Sequence, residues 1–210
     1  SSPDGSHYSE LHTQLHHDLL SIQQRFGYYD LFLIDEAGRV VYTVFKELDF
    51  ATSLTNGPWA SSNLAQLYRK LQATPSGETA FADFESYTPS YDGPAAFLGA
   101  PVMKDGKRCG YLVVQLPADR VTAIASSVEG MGKTGEVVLI GPDKRMRSDS
   151  RQRPETHSVV ASFRDPKTGS FDTPQVREAL TGKEGAGFVE DIDGDEELTV
   201  WEPLEILGTR

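Results

Sequence analysis

The chain has 210 residues, 38% hydrophobic and 24% charged, with 31 acidic against 20 basic side chains and a net charge of −11. That length accommodates one large domain or two of about 100 residues, and the negative charge argues against a nucleic-acid partner, because phosphate binding needs a cationic face. A single cysteine, Cys109, excludes an internal disulfide and a cysteine-based zinc site, and no apolar run approaches the ~18 residues of a membrane span. Without an initiator methionine or a signal peptide, the sequence reads as an excised fragment whose membrane anchors, if any, lie outside it.

Leu11, Leu15, Leu19, Ile22 and Phe26 recur at intervals of 4, 4, 3 and 4, which places them on one face of a long helix over residues 9–26. Residues 31–35 and 40–48, rich in branched and aromatic side chains around Ala37-Gly38, predict a hairpin. Strand alternation would put Tyr42, Val44 and Lys46 on one face, a cation beside aromatic surface. After a loop over 49–59, Leu64, Leu67, Tyr68 and Leu71 return to helical spacing, stopped by Pro75-Ser76-Gly77. Strands follow at 80–87, 95–103 and 109–116, the last two joined at Asp105-Gly106. Pro117 opens a connector helix carrying Val121, Ile124, Ala125 and Val128 on one face, ended by Gly130-Met131-Gly132. Beyond it come a hairpin over 136–147, a polar stretch to Ser170, and a helix over 174–180 with Thr173 as N-cap and Gly182 past its end. Strands at 187–191 and 197–203 close the series, and the chain reads as cut before one further strand.

The two halves echo each other. Leu33-Ile34-Asp35-Glu36-Ala37-Gly38-Arg39-Val40 and Leu139-Ile140-Gly141-Pro142-Asp143-Lys144-Arg145-Met146 both read as strand, polar turn ending in arginine, and strand, 106 residues apart. Gly77 and Gly182, Phe84 and Phe188, and Pro101 and Pro203 follow in order at offsets of 105, 104 and 102. A period this long is domain-sized. Each copy therefore reads strand, strand, helix and three strands, an α+β unit with a mainly antiparallel five-stranded sheet and a small-molecule pocket between one face and the helix and loops.

Several motifs have plain structural readings. Gly132-Lys133-Thr134 resembles a phosphate-binding loop, but Ser127 stands where that loop needs a glycine. Asp191, Asp193, Asp195, Glu197 and Glu202 have near-calcium-loop spacing, yet Glu196 replaces the required sixth-position glycine, so Asp193-Gly194 reads as a hairpin turn. His12 and His16 sit four apart, which reads as exposed helix histidines for want of a third ligand. Lys144, Arg145, Arg147, Arg151 and Arg153 read as a solvated turn and strand edge. No nucleophile elbow, zinc motif or dinucleotide fingerprint is present, so catalytic residues, metal and cofactors are all expected to be absent.

What remains is aromatic: Tyr42, Phe45, Phe50, Trp59, Phe84, Tyr87, Tyr91 and Phe97, all in the first copy. The stretch Glu85-Ser86-Tyr87-Thr88-Pro89-Ser90-Tyr91-Asp92-Gly93-Pro94 is too polar and proline-rich for a core yet carries two tyrosines, which suits it to grip a small polar ligand over a sheet. The layout after the long helix, with Val41-Tyr42-Thr43-Val44-Phe45-Lys46-Glu47-Leu48-Asp49-Phe50, Pro101-Val102, and Thr134-Gly135-Glu136-Val137 through Met146-Arg147-Ser148-Asp149-Ser150, resembles double Cache sensor domains. These are the PAS-like extracytoplasmic regions of bacterial chemotaxis receptors and sensor histidine kinases.

The resemblance implies a stalk helix (1–29), a membrane-distal subdomain (30–117), a connector (118–134) and a membrane-proximal subdomain (135–210), truncated at its last strand. It further implies a periplasmic, non-enzymatic domain between two transmembrane helices outside this sequence, homodimeric in the full receptor. Ligand capture is expected in the distal subdomain, at Tyr42, Lys46, Trp59, Phe84, Tyr87, Ser90, Tyr91 and Phe97. Lys46, if inward, would hold a carboxylate. One amino-acid-binding subgroup uses an arginine followed closely by tryptophan and tyrosine, a cluster missing near Trp59. Competing readings are a soluble binding or scaffold domain without signalling output, and a hydrolase.

Overall fold

The computed structural model describes residues 6–126 and 130–208. The chain divides into two compact units, Ser1–Asp83 with Tyr87–Pro117, and Ala118–Arg210 with Phe84–Ser86. Helix α1 (His7–Phe26) begins where the Ser6 hydroxyl accepts the Ser9 amide and ends at Gly27, which takes the left-handed conformation that glycine adopts without a Cβ clash.

The first unit is built on a five-stranded antiparallel sheet in the order β2-β1-β5-β4-β3, from β1 (Asp30–Ile34), β2 (Val40–Thr43), β3 (Ala80–Tyr87), β4 (Gly93–Lys104) and β5 (Lys107–Leu116). Side chains alternate across it. Phe32, Ile34, Phe97, Tyr111 and Val113 form one core with Leu64, Leu67, Tyr68 and Leu71 of α2 (Asn63–Ala73), while Leu31 and Val114 cluster on the opposite face with Leu19 and Leu20 of α1. Ser62 caps α2, and the buried Asn63 amide donates to the carbonyls of Asp83 and Ala95, tying the helix start to the edge of the sheet.

One irregularity decides where the second strand points. The β1–β2 register pairs Leu33 with Tyr42 but Ile34 with Val40, leaving Val41 as a bulge. Val40 consequently joins the α2-side core and Tyr42 the α1-side cluster. The strand ends at Thr43 and Lys46 adopts a φ of 54°, so a turn rather than a continued strand gathers these side chains: Tyr42 and Val44 share the α1-side cluster, and the Lys46 ammonium lies 4.6 Å from the Tyr42 ring.

The second unit contains α3 (Ala118–Ala125), α4 (Val159–Arg164), α5 (Pro166–Gly169), α6 (Pro174–Leu180), β6 (Gly185–Glu190) and β7 (Glu196–Trp201). Among the described residues its sheet has two strands, smaller than the sequence led us to expect. The expected 136–147 hairpin shrinks to one bridge between Ile140 and Met146, because side chains take over the ladder: the Ser148 hydroxyl accepts the Leu139 amide, and the Glu136 carboxylate accepts from Ser150, Arg151 and Gln152. The polar stretch before Ser170 is not a loop throughout. Ser158 caps α4, Asp165 caps α5, and Val159, Ala161 and Phe163 are buried. Thr173 caps α6, and the Asp191 carboxylate accepts the amides of Asp193 and Asp195, forming the β6–β7 turn. Val128 of the connector face, and Thr209 and Arg210, lie outside the described residues.

The basic run is a paired cluster rather than a solvated edge. Lys144 meets Asp172, Arg153 meets Asp191 and Asp193, and Arg147, only 8% exposed, pairs with Asp143 at 2.9 Å and stacks on Phe163.

The repeated turn is the same object in both units. Asp35 N–H donates to Arg39 O and Gly38 N–H to Asp35 O; at the same 106-residue offset, Gly141 N–H donates to Arg145 O and Lys144 N–H to Gly141 O. Gly38 and Lys144 both have positive φ, 81° and 63°. A Cβ on Gly38 would stand 2.8 Å from the Tyr68 ring. Gly38→Ala is therefore expected to cost about 1–3 kcal/mol by urea denaturation, from backbone strain plus that contact, and an unchanged midpoint would contradict the turn geometry.

Candidate functional site

At one end of the α2-covered face, polar side chains replace the apolar core. Asp30 opens β1 and is register partner of Gln115 on β5. The loop after β2 brings Glu47 and Asp49, the last residue of β3 is Tyr87, and a short 3-10 turn (Thr88–Ser90) presents Ser90. Asp30 and Asp49 are both 0% exposed. Meanwhile the same loop leaves Phe45 55% and Leu48 66% exposed, the reverse of what burial of apolar area favours.

The hydrogen bonds show how far the protein satisfies these carboxylates. Asp30 Oδ1 accepts the amides of Leu31 (2.6 Å) and Val44 (2.9 Å). Tyr87 donates its hydroxyl to Asp49 Oδ2 at 2.7 Å, and Tyr29 (3.1 Å) and Ser90 (2.9 Å) donate to the two oxygens of Glu47. Gln115 Nε2 reaches Ser90 Oγ at 3.3 Å. Asp30 Oδ2 and Asp49 Oδ1, both buried, have no hydrogen-bond partner among the described residues. Burial pushes both aspartates up to about 6; the Leu31, Val44 and Phe45 amides oppose this at Asp30, as the Tyr87 hydroxyl and the Asp49 and Phe50 amides do at Asp49, while Asp49 adds to the rise at Asp30 and Glu47 to that at Asp49. Burial, then the charge of Asp49, also holds the Tyr87 phenol well above its ordinary range.

The residues expected to form the site fall into two groups. Tyr87 and Phe97 are buried against one another, ring centroids 5.0 Å apart, and Trp59 packs at the edge of the same core with its indole N–H donating to Leu48 O at 3.1 Å. Ser90 donates to Glu47, which also accepts from Tyr29. Tyr42 stands apart, because the Val41 bulge turns it toward α1, where its hydroxyl meets His16 Nδ1 at 2.8 Å. Lys46 follows Tyr42, its ammonium 4.6 Å from that ring and donating to Thr43 O. Among the described residues no ion pair joins Lys46 to Asp30, Glu47 or Asp49. Tyr91 is 89% exposed in a left-handed turn and Phe84 is buried on β3. His12 and His16 are half-buried and stacked at 4.6 Å rather than freely exposed.

Sequence reasoning missed Asp30, Asp49, Glu47, Tyr29 and Gln115. Asp30 had a readable signal, a carboxylate directly before the apolar run Leu31-Phe32-Leu33-Ile34.

No family model matches the chain, and no curated protein matches it either. Solved structures do. The ligand-binding domain of the Campylobacter jejuni chemoreceptor Tlp3, solved with 4-methylisoleucine, superposes with a TM-score of 0.56 at 10% identity over 86% of this chain and 64% of that one. The extracellular domain of the candidate histidine kinase mmHK1S-Z3 gives 0.55 at 15% identity over 90% and 73%. A Vibrio parahaemolyticus domain described as a sensory box/GGDEF family protein gives 0.54 at 12% over 88% and 71%. The chain has the fold of extracellular sensor domains. It spans about two thirds of the length of these sensor domains. No helix among the described residues is long and apolar enough to cross a membrane.

The aspartate environments predict a pH dependence. Each carboxyl holds its proton more tightly folded (about 6) than at its ordinary 3.8, so their stabilising contribution is complete below about pH 4 and is lost as pH rises through about 6. Asp49→Asn is expected to raise the melting temperature at pH 7.5 and to flatten its fall between pH 4 and pH 7. Identical profiles for the variant and the parent protein would contradict the assignment.

Proposed function

We propose that this chain is the extracytoplasmic ligand-binding part of a transmembrane signalling receptor, non-enzymatic in itself, which captures a small polar molecule in its first, membrane-distal unit. The observation that carries the reading is the inward-facing polar cluster of Asp30, Glu47, Asp49, Tyr87, Ser90 and Gln115, set where the α2-covered face would otherwise close with apolar side chains. Folds of this kind in chemoreceptors and histidine kinases make such a site a place for a ligand rather than for chemistry, an inference by analogy.

The second unit relays the change. A ligand alters signalling only by binding one arrangement of the receptor more tightly than the other, and α1 (His7–Phe26), with Leu11, Leu15 and Ile22 each more than 40% exposed, offers an apolar stripe to a second copy in the full receptor. Flanking transmembrane helices and a periplasmic location belong to the same proposal. The carboxylate ligand expected from Lys46 is not retained, since Lys46 lies against Tyr42 and the cluster is acidic.

Thermal-shift screening against amino acids, organic acids, amines and sugars is expected to return a saturable stabilisation, about 2.7 kcal/mol at a hundredfold excess over Kd. Tyr87→Phe and Trp59→Ala should each weaken it tenfold or more. A full response in both variants would place the ligand elsewhere, with the second unit around Arg147 and Asp149 next to test.

A further inference from the structure

The seat of α1 on the first unit holds titratable groups that the acidic cluster does not use. We propose that His12 and His16 form a proton-sensitive latch: neutral, they hold the N-terminal half of α1 against β2 and the loop that follows it, and protonated, they release it.

The two halves of the helix are held differently. Toward its C-terminal end, Leu19 and Leu20 pack on Leu31, Tyr42, Val44 and Val114, and Gln23 Nε2 donates to the carbonyls of Tyr28 at 2.6 Å and Tyr29 at 3.1 Å. Toward its N-terminal end, rings make the contact. Tyr8 lies 6.1 Å from Phe50, His12 lies 5.9 Å from Tyr42, and His12 stacks on His16 at 4.6 Å with 17° between the planes. The Tyr42 hydroxyl meets His16 Nδ1 at 2.8 Å, and His12 Nε2 is buried with no hydrogen-bond partner among the described residues.

That seat favours uncharged imidazoles. A charged His12 must donate from both ring nitrogens, and its Nε2 has no acceptor, so a charged N–H would be buried unpaired. At His16 a neutral Nδ1 can accept the Tyr42 hydroxyl, whereas the charged ring can only donate there, and the hydroxyl hydrogen has to find another acceptor. The loop adds a fixed cation, Lys46, whose ammonium lies 4.6 Å from the Tyr42 ring and 5.6 Å from that of Phe50. Burial first, then the Lys46 charge, holds both imidazoles below their ordinary range, and a neighbouring histidine adds to this in each case, His16 at His12 and His17 at His16. The carboxylates of the helix lie beside other partners, Glu10 by His7 and Asp18 by His17. Asp30 of β1 acts on the ammonium and a phenol: burial lowers Lys46 and raises Tyr42 to about 12, and the Asp30 charge raises both. Burial raises the Tyr8 phenol too, so the tyrosines stay neutral while the histidines titrate.

Both imidazoles thus bind a proton less readily docked than free. Their contribution to docking is complete above about pH 6.5 and is lost as pH falls below it. Asp30 and Asp49 have the opposite sign, stabilising the fold as pH falls through about 6. A melting curve sums the two, so α1 itself has to be read.

Amide hydrogen exchange at pH 7.5 and 5.0, corrected for the intrinsic pH dependence of exchange, reads each half of α1 separately. Residues 11–16 are expected to lose protection about threefold or more at pH 5.0 relative to residues 19–26, and a double variant, His12→Gln with His16→Gln, should show no such relative loss. Proton NMR titration of the imidazoles, assigned by the single variants, should place both below 6.5, and Lys46→Met should move both upward. Relative loss that persists in the double variant, equal protection at the two pH values in the parent protein, or imidazoles titrating at or above 6.5 would overturn the proposal. If the double variant already lacks protection at pH 7.5, Lys46→Met decides: the pH at which residues 11–16 lose protection should rise, and an unmoved profile would contradict the latch.

Discussion

Burying a carboxylate without a counter-ion is the constraint around which the first unit is arranged. Asp30 and Asp49 lie fully inside the protein, where their charged forms lose water and gain only partial compensation from amides and the Tyr87 hydroxyl. An apolar residue at either position would close the core at less cost. The loop after β2 adopts left-handed conformations at Lys46 and Ala51 and leaves Phe45 and Leu48 in solvent while Glu47 and Asp49 turn inward, a local cost in stability that the proposed ligand site would account for.

The two units show what this costs and where it is confined. Both carry the same turn, down to matching backbone hydrogen bonds and a positive φ at Gly38 and Lys144. Around that shared element they diverge. The first continues into a five-stranded sheet with an acidic, hydroxyl-rich end; the second surrounds its turn with paired charges, Arg147 with Asp143 and Lys144 with Asp172, and with Arg147 stacked on Phe163. In the first unit hydroxyls and backbone amides serve the carboxylates, whereas in the second basic side chains do so.

Much of this was legible in the residues. The periodicity of Leu64, Leu67, Tyr68 and Leu71 gave α2, Thr173-Pro174 gave the start of α6, and of the eight residues named for the pocket Tyr87 and Phe97 pack ring against ring with Trp59 at the edge of the same core. Two things were not legible. A strand pattern carries no mark of a bulge, so nothing in the residues shows that Val41 turns Tyr42 to the α1 side, away from Tyr87, with Lys46 beside it. Nor does an aspartate announce its burial. Asp49 reads as loop polarity, and only the long-range contact with Tyr87, 38 residues on, makes it interior. In the second unit the capping signals Ser158 and Asp165-Pro166 were present but lay in a stretch without apolar periodicity, so α4 and α5 were missed.

The protonation of the two aspartates reports most directly on the central claim. Carbon-13 NMR titration of the aspartate carboxyls, assigned by Asp30→Asn and Asp49→Asn, should find two groups titrating with apparent values near 6. Two carboxyls titrating near 3.8 would contradict it.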